Sequence, residues 1–300
     1  PDFEIDGRPG VELDGSLLTA GHGLDIRGEG PAVISNLAIG GFPWDGIAMS
    51  RKAAAGPTAQ INIFACRIGV RFDGTQNANR SRGVTLNAPT SKAWISSNII
   101  GGNLRSGVFI DGASDITVSQ NVIGELHSQE KYGNGASGVF VGPNSHDVDL
   151  IANSIIGNAH FGVAIARGAT RVHLRSTNQI LGNRLLPLDH GLDGFSGYAA
   201  DAMRTPAPRI TTAHYDAATE TVTISGTVAV PDPTKQWTVT LYVPETVWTD
   251  LPLPTTTVHD GAFSFTFKSR LTRSIAFMAY ADSEDSAYST SEFAEAVFLP

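Results

Sequence analysis

The chain has 300 residues, 41% of them hydrophobic and 17% charged, with a formal net charge of −8. That length fits one long or two ordinary domains with ample core. The negative balance argues against a nucleic-acid partner or an anionic membrane surface, but admits a neutral glycan, or an acidic one held by local basic patches.

Thirty-two glycines, few charges and short apolar runs point to an all-β architecture. The single cysteine, Cys66, excludes an internal disulfide. No apolar run approaches the ~20 residues a spanning helix needs. The opening Pro1-Asp2-Phe3-Glu4-Ile5-Asp6-Gly7 already reads as strand, so the chain is expected to be a piece of a longer protein.

In chain order, Val11-Glu12-Leu13-Asp14-Gly15 and Gly23-Leu24-Asp25-Ile26 alternate apolar and polar residues, as half-buried strands do. Val33 to Gly40 and Gly46 to Met49 read as the next coil. From Ile61 onward two phrases alternate. One is Asn, an apolar pair and Gly, as in Asn98-Ile99-Ile100-Gly101, Asn121-Val122-Ile123-Gly124, Asn153 to Gly157 and Asn178 to Gly182. The other is Gly, apolar, variable, apolar, starting at Gly83, Gly107, Gly138 and Gly162, with spacings of 24, 31 and 24. A period in the twenties, with two short strands per period, predicts a β-solenoid whose coils bury one another's apolar sides. Cys66 stands in an Asn slot and is expected to be a buried thiol without a catalytic role. Val108, Ile110, Val139, Val141, Val163 and Ile165 should point inward and stack. The asparagines should form a ladder at a coil corner.

Gly69 to Gly83 and Gly124 to Gly138 are both 14 residues, so Val70–Arg82 and Glu125–Ser137 read as two copies of one loop. They should leave the same edge two rungs apart, roughly 10 Å at ~4.8 Å per rung. The solenoid is expected over 1–194 and a linker over 195–208. Longer alternating strands then predict an Ig-like β-sandwich over 209–300.

In the Gly phrase the middle residue faces out, giving the column Asp25, Ala48, Thr85, Phe109, Phe140 and Ala164. Phe109 and Phe140 are adjacent outward aromatics: a stacking platform for sugars, or a patch that another layer covers. A second outward column holds Trp94, Thr117, Asp149 and His173, with Asp149 beside His173 as an acid/base candidate or a plain surface contact. The loops carry varied chemistry: Arg71, Asp73, Arg80 and Arg82 in the first, and Glu125, His127, Glu130, Lys131 and Tyr132 in the second. Such residues supply the base and positive charge a polysaccharide lyase needs, or are polar simply because they are solvated. Gly21-His22-Gly23 resembles a triplet of pectin-degrading hydrolases, without their paired aspartates. Asp189 and Asp193, with Asp282, Glu284 and Asp285, are carboxylates of the kind calcium takes, but lack a defined ligand spacing. There is no zinc pattern, phosphate loop or nucleophile motif, so no metal or other cofactor is expected.

These phrases together resemble bacterial exported right-handed parallel β-helix repeat proteins of the CSLREA-associated type. The matching text is Val11 to Ser16, the paired Asn and Gly phrases, the two loops, and Leu188-Asp189-His190-Gly191-Leu192-Asp193-Gly194. Thr223 to Thr227 and Ser289 to Phe293 are similar to that family's trailing sandwich. The resemblance implies a secreted or cell-surface bacterial protein. The expected function is a non-catalytic module that binds polysaccharide or a cell-surface partner; the alternative is a lyase or glycoside hydrolase on the helix flank. The candidate ligand-binding set is Phe109, Phe140, Arg80, Arg82, His127, Glu130, Lys131 and Tyr132.

Overall fold

A computed structural model of the chain describes residues 3–28, 30–49, 60–125, 132–175, 178–192, 205–232, 234–243, 255–258, 261–270, 275–283, 290–291 and 293–299. Every regular element among them is a β-strand. Up to His190 the chain winds in parallel coils, a right-handed parallel β-helix.

Each full coil carries three strands, not the two expected. Val84–Asn87 is followed by Ser91–Ser96 and Ile99–Ile100, and Val108–Asp111 then pairs in parallel on Val84–Asn87. The strands stack into three faces. The Gly face is a seven-stranded parallel sheet running from Leu24–Ile26 to Leu188–His190. The middle face stacks Ile61–Phe64, Ser91–Ser96, Ser114–Ser119, His146–Ile151 and Thr170–Leu174. The Asn face stacks Arg67–Ile68, Ile99–Ile100, Val122–Gly124, Ser154–Ile156 and Gln179–Leu181. The extra strand comes from a sharp bend. Ala65, Ser97, Gln120 and Ala152 all adopt φ between 53° and 57°, the left-handed region, just before the ladder slot. One such residue ends the middle strand and turns the chain onto the Asn face, at a local cost of about 1–2 kcal/mol.

Asparagine offsets that cost. The Asn98 side-chain amide donates to Asn121 Oδ1 (3.0 Å) and to the Ile63 carbonyl (2.9 Å), and the pattern repeats through Asn121, Asn153 and Asn178. Cys66 occupies the slot below. Its N–H donates to Asn98 Oδ1 and its thiol to the Phe64 carbonyl, and burial pushes the thiol pKa up to about 11. A second ladder, unforeseen from the sequence, runs through Asn79, Asn103, Asn134, Asn158 and Asn183 at the corner before the Gly face.

The expected inward stacks form: Val108, Val139 and Val163 are fully buried and paired across rungs, as are Ile110 and Val141. Each such side chain contributes about 1.5–3 kcal/mol relative to exposure. The glycine that opens each Gly-face strand is required by close approach. A Cβ on Gly107 would sit 2.8 Å from both the Asn134 amide and the Gly138 carbonyl oxygen.

Beyond the coils, a three-stranded and a four-stranded antiparallel sheet share one apolar cluster, with Val222, Ile224, Phe263 and Phe265 from the first and Trp237, Val239, Leu241 and Phe277 from the second. Tyr242, Tyr280 and Phe293 instead join the core of the coils. Thr290 ties off the last middle-face strand. Its N–H donates to the Val172 carbonyl (2.9 Å), and its hydroxyl accepts from the Leu174 N–H and donates to Asp282 (2.6 Å). That covers a sheet edge which would otherwise offer unpaired backbone groups.

Candidate functional site

The corner that leads into the Gly face brings Arg80, Arg82 and Arg105 beside the outward phenylalanines. On each rung the chain passes from the second asparagine ladder through three residues to the Gly-face glycine. In successive rungs these are Arg80-Ser81-Arg82, Leu104-Arg105-Ser106, Gly135-Ala136-Ser137 and Ala159-His160-Phe161. Backbone bonds such as Arg105 N–H to the Ser81 carbonyl (2.8 Å) and His160 N–H to the Ala136 carbonyl (3.1 Å) hold these turns in stacked register. Arg105 and His160 therefore belong to the same row as Ser81.

Phe109 and Phe140 are Cα partners on adjacent Gly-face strands. Their rings lie 4.9 Å apart and 8° from parallel. The Arg82 guanidinium sits 3.5 Å from the centroid of the Phe109 ring. Two planar groups cannot share one side of a ring, so both faces of Phe109 are taken, by Phe140 and by Arg82. Rung-by-rung stacking turns aromatic faces along the helix axis, and what the pair shows to solvent is ring edge. The flat platform read from the sequence is therefore not open at Phe109. Both phenylalanines are half-buried, and their rung neighbours Thr85 and Ala164 are fully covered.

Arg82 is the focus of charge. Burial lowers its proton affinity most, Asp45 opposes that, Arg105 adds to it, and Asp111 opposes it. Its backbone N–H donates to Asp45 Oδ1 (2.9 Å). Among the described residues the guanidiniums of Arg82, Arg80 and Arg105 make no hydrogen bond or ion pair. At the start of this corner the His22 ring meets the half-exposed Trp44 edge-on at 5.0 Å and accepts the Asp45 N–H.

Of the sequence candidates, the fold brings together Phe109, Phe140 and Arg82, with exposed Arg80 two residues away. Tyr132 lies apart, its carbonyl accepting from the Gly102 N–H at the start of the turn, without ring contact to the phenylalanines. His127, Glu130 and Lys131 lie outside the described residues. The first loop reaches the pair through its last residue, Arg82, while its start is held elsewhere. Arg71 is clamped by Glu12 (2.8 Å) and Asp14 (2.6 Å), which fastens the loop to the N-terminal strand, and this pairing holds the Asp14 carboxyl down to about 2. The acid/base pair of Asp149 and His173 does not form either. His173 is buried against Asp282 (2.9 Å) and Asp149 is bonded to Arg175 (2.7 Å). Among the described residues no group of three or more His, Cys, Asp or Glu is placed to hold a metal. Asp282, one of the calcium candidates, is committed to His173, Arg175 and Thr290. No described helix is long and apolar enough to cross a membrane.

Arg105, Trp44 and His22 were missed as partners of this corner. The signal for Arg105 was present, since it precedes Gly107 by the same two residues as Ser81 precedes Gly83.

The model of a family described as right handed beta helix region matches residues 5–185. No curated protein matches the sequence. Among solved structures, a double mutant of the periplasmic alginate epimerase AlgG is 16% identical with a TM-score of 0.48, over 63% of this chain and 44% of that one. The A-module of the Azotobacter vinelandii mannuronan C-5 epimerase AlgE4 is 18% identical with a TM-score of 0.30, over 56% of this chain and 61% of that one. The enzymatically active domain of bacteriophage CBA120 tailspike protein 2 is 9% identical with a TM-score of 0.31, over 84% of this chain and 54% of that one. This chain thus spans between 44% and 61% of the length of these structures.

Proposed function

The chain belongs to the right-handed β-helix family, and from that premise we propose that it is an exported module whose Gly-face corner binds acidic polysaccharide. The observation that carries this reading is Arg82. Its guanidinium is held over the Phe109 ring at 3.5 Å, half out of water, and has no hydrogen-bonded partner among the described residues. A planar fork of donors fixed in that way suits a carboxylate, which it can grip with two parallel bonds. Arg105 and Arg80 on the same corner add positive charge in a protein of net charge −8. The edges of Phe109 and Phe140 supply an apolar ridge beside the charge, as sugar-binding surfaces combine them. A uronate chain lying along the helix axis would meet these groups rung by rung.

The test is calorimetric titration of the protein with oligomers of galacturonate and of mannuronate. Binding that weakens about tenfold or more in Arg82→Met, and that falls as salt is raised, supports the reading. Equal affinity of the variant, or no binding to either oligomer, would remove it. The same mixtures are read for unsaturated and reducing ends, whose appearance would turn the binding corner into an active site.

A further inference from the structure

We infer a second carbohydrate site on the middle face, shaped for a neutral linear oligosaccharide and independent of the Gly-face corner. Here the outer surface hollows into an open cleft of about 590 Å³. Its aromatic member is Trp94, whose strand neighbours Ala93 and Ile95 are fully buried, so the indole points outward. Trp94 is 54% exposed. Its rung neighbours are Asn62 and Thr117, both small and polar. Among the described residues no ring or cation lies on the indole, and no acceptor meets its N–H. The contrast with Phe109 is direct, because that ring has a planar group on each side and this one, among the described residues, has none. An indole face in a cleft is a stacking surface for the C–H face of a sugar ring.

The polar groups around it are fixed acceptors with their charge already answered. Asp147 is gripped by Arg171 and Asp149 by Arg175 (2.7 Å), and both arginines come from the next coil. Arg171 holds the Asp147 carboxyl down to about 2, so it stays an acceptor through the mildly acidic range. Lys92 and the exposed Asp115 bring one charge of each sign. The cleft is thus close to neutral, with anchored oxygens to accept sugar hydroxyls. The arginines here are already bonded to Asp147 and Asp149, so a uronate carboxylate gains no spare guanidinium of the kind Arg82 offers and has no advantage over a neutral sugar. Trp94, Thr117 and Asp149 stand in one column on successive rungs, ~4.8 Å apart, so a linear chain along the axis meets them in turn.

The experiment titrates cellohexaose, xylohexaose, mannohexaose and the galacturonate hexamer into the full chain, read by calorimetry and by the indole N–H signals in nuclear magnetic resonance. The expected result is millimolar or tighter binding of at least one neutral hexasaccharide, with a shift of the Trp94 indole signal. Trp94→Ala should weaken it about tenfold or more without changing the melting temperature, Trp94→Phe should weaken it less, and Arg82→Met should leave it unchanged. The galacturonate hexamer should not move the Trp94 signal. If no neutral hexasaccharide binds, or Trp94→Ala binds as well as the parent, the site does not exist. Failure of both the galacturonate and the mannuronate oligomers to bind anywhere would overturn the Gly-face proposal and leave this one standing.

Discussion

On the middle face, Arg171 and Arg175 are bonded to Asp147, Asp149 and Asp282. On the Gly-face corner of earlier coils, Arg80, Arg82 and Arg105 have no such partners among the described residues. The aromatics differ in the same sense. Trp94 is half-exposed with no ring or cation on it among the described residues, while Phe109 is enclosed between Arg82 and Phe140. Identical coil geometry thus carries one surface whose charges are spent internally and another whose charges are left over. Paired arginines stabilise and position; unpaired, partly desolvated ones serve folding little and are available to a ligand.

The comparison holds only if the two surfaces share one interior. Val139 behind the Gly face and Val148 behind the middle face are both fully buried. Val139→Asp and Val148→Asp should each cost about 3–5 kcal/mol, since either leaves an unpaired charge in the core. A melting temperature that drops for one and not the other would show that the faces are separate structures. Next in size are the ladders. Asn134→Ala and Asn153→Ala each strip the amide below of its acceptor and a backbone carbonyl of its donor. Each should cost about 2–3 kcal/mol in denaturant unfolding, equally at the two corners.

The arginines themselves come third. Arg171→Ala should lose up to about 1 kcal/mol, the range of a partly exposed ion pair. Arg82→Met, which keeps the apolar contact with Phe109, should leave stability unchanged or raise it slightly. Equal losses in both would erase the distinction between spent and spare charge. The smallest effect is in acid. Asp14 and Asp147 titrate near 2 in the folded chain against 3.8 ordinarily. Because the folded value is the lower one, their stabilisation is complete above about 4 and fades as pH falls towards 2. Arg171→Ala should flatten the part of that acid limb due to Asp147, as read by melting temperature between pH 5 and pH 2.

Much of this architecture is legible in the residues. The recurring Gly and Asn phrases mark the coils, the inward stacks and the buried slot of Cys66, because each depends on residues within one turn of the solenoid. The second ladder was equally written, in asparagines spaced like the glycines, yet Asn103 and Asn134 are not followed by the apolar pair that marks the first. The third strand per coil was not legible. It hangs on Ser97, Gln120 and Ala152 adopting a left-handed bend, and none of these residue types announces one.

The candidate site divides along the same line. The sequence alone determined that Phe109 and Phe140 would be outward neighbours and that Arg82 would stand at the end of a loop beside them, since strand alternation and coil period settle both. Only the tertiary structure decided that the rings would stack on one another with Arg82 on the far side of Phe109, which closes both faces of that ring. It also decided that Arg71 would leave the site for Glu12 and Asp14, and that His173 would turn from Asp149 to Asp282, 109 residues away. Period and alternation are local properties, carried by neighbours along the chain. Which charges meet is a matter of distance in space, and residues far apart in sequence become competitors for one another only once the coils are stacked.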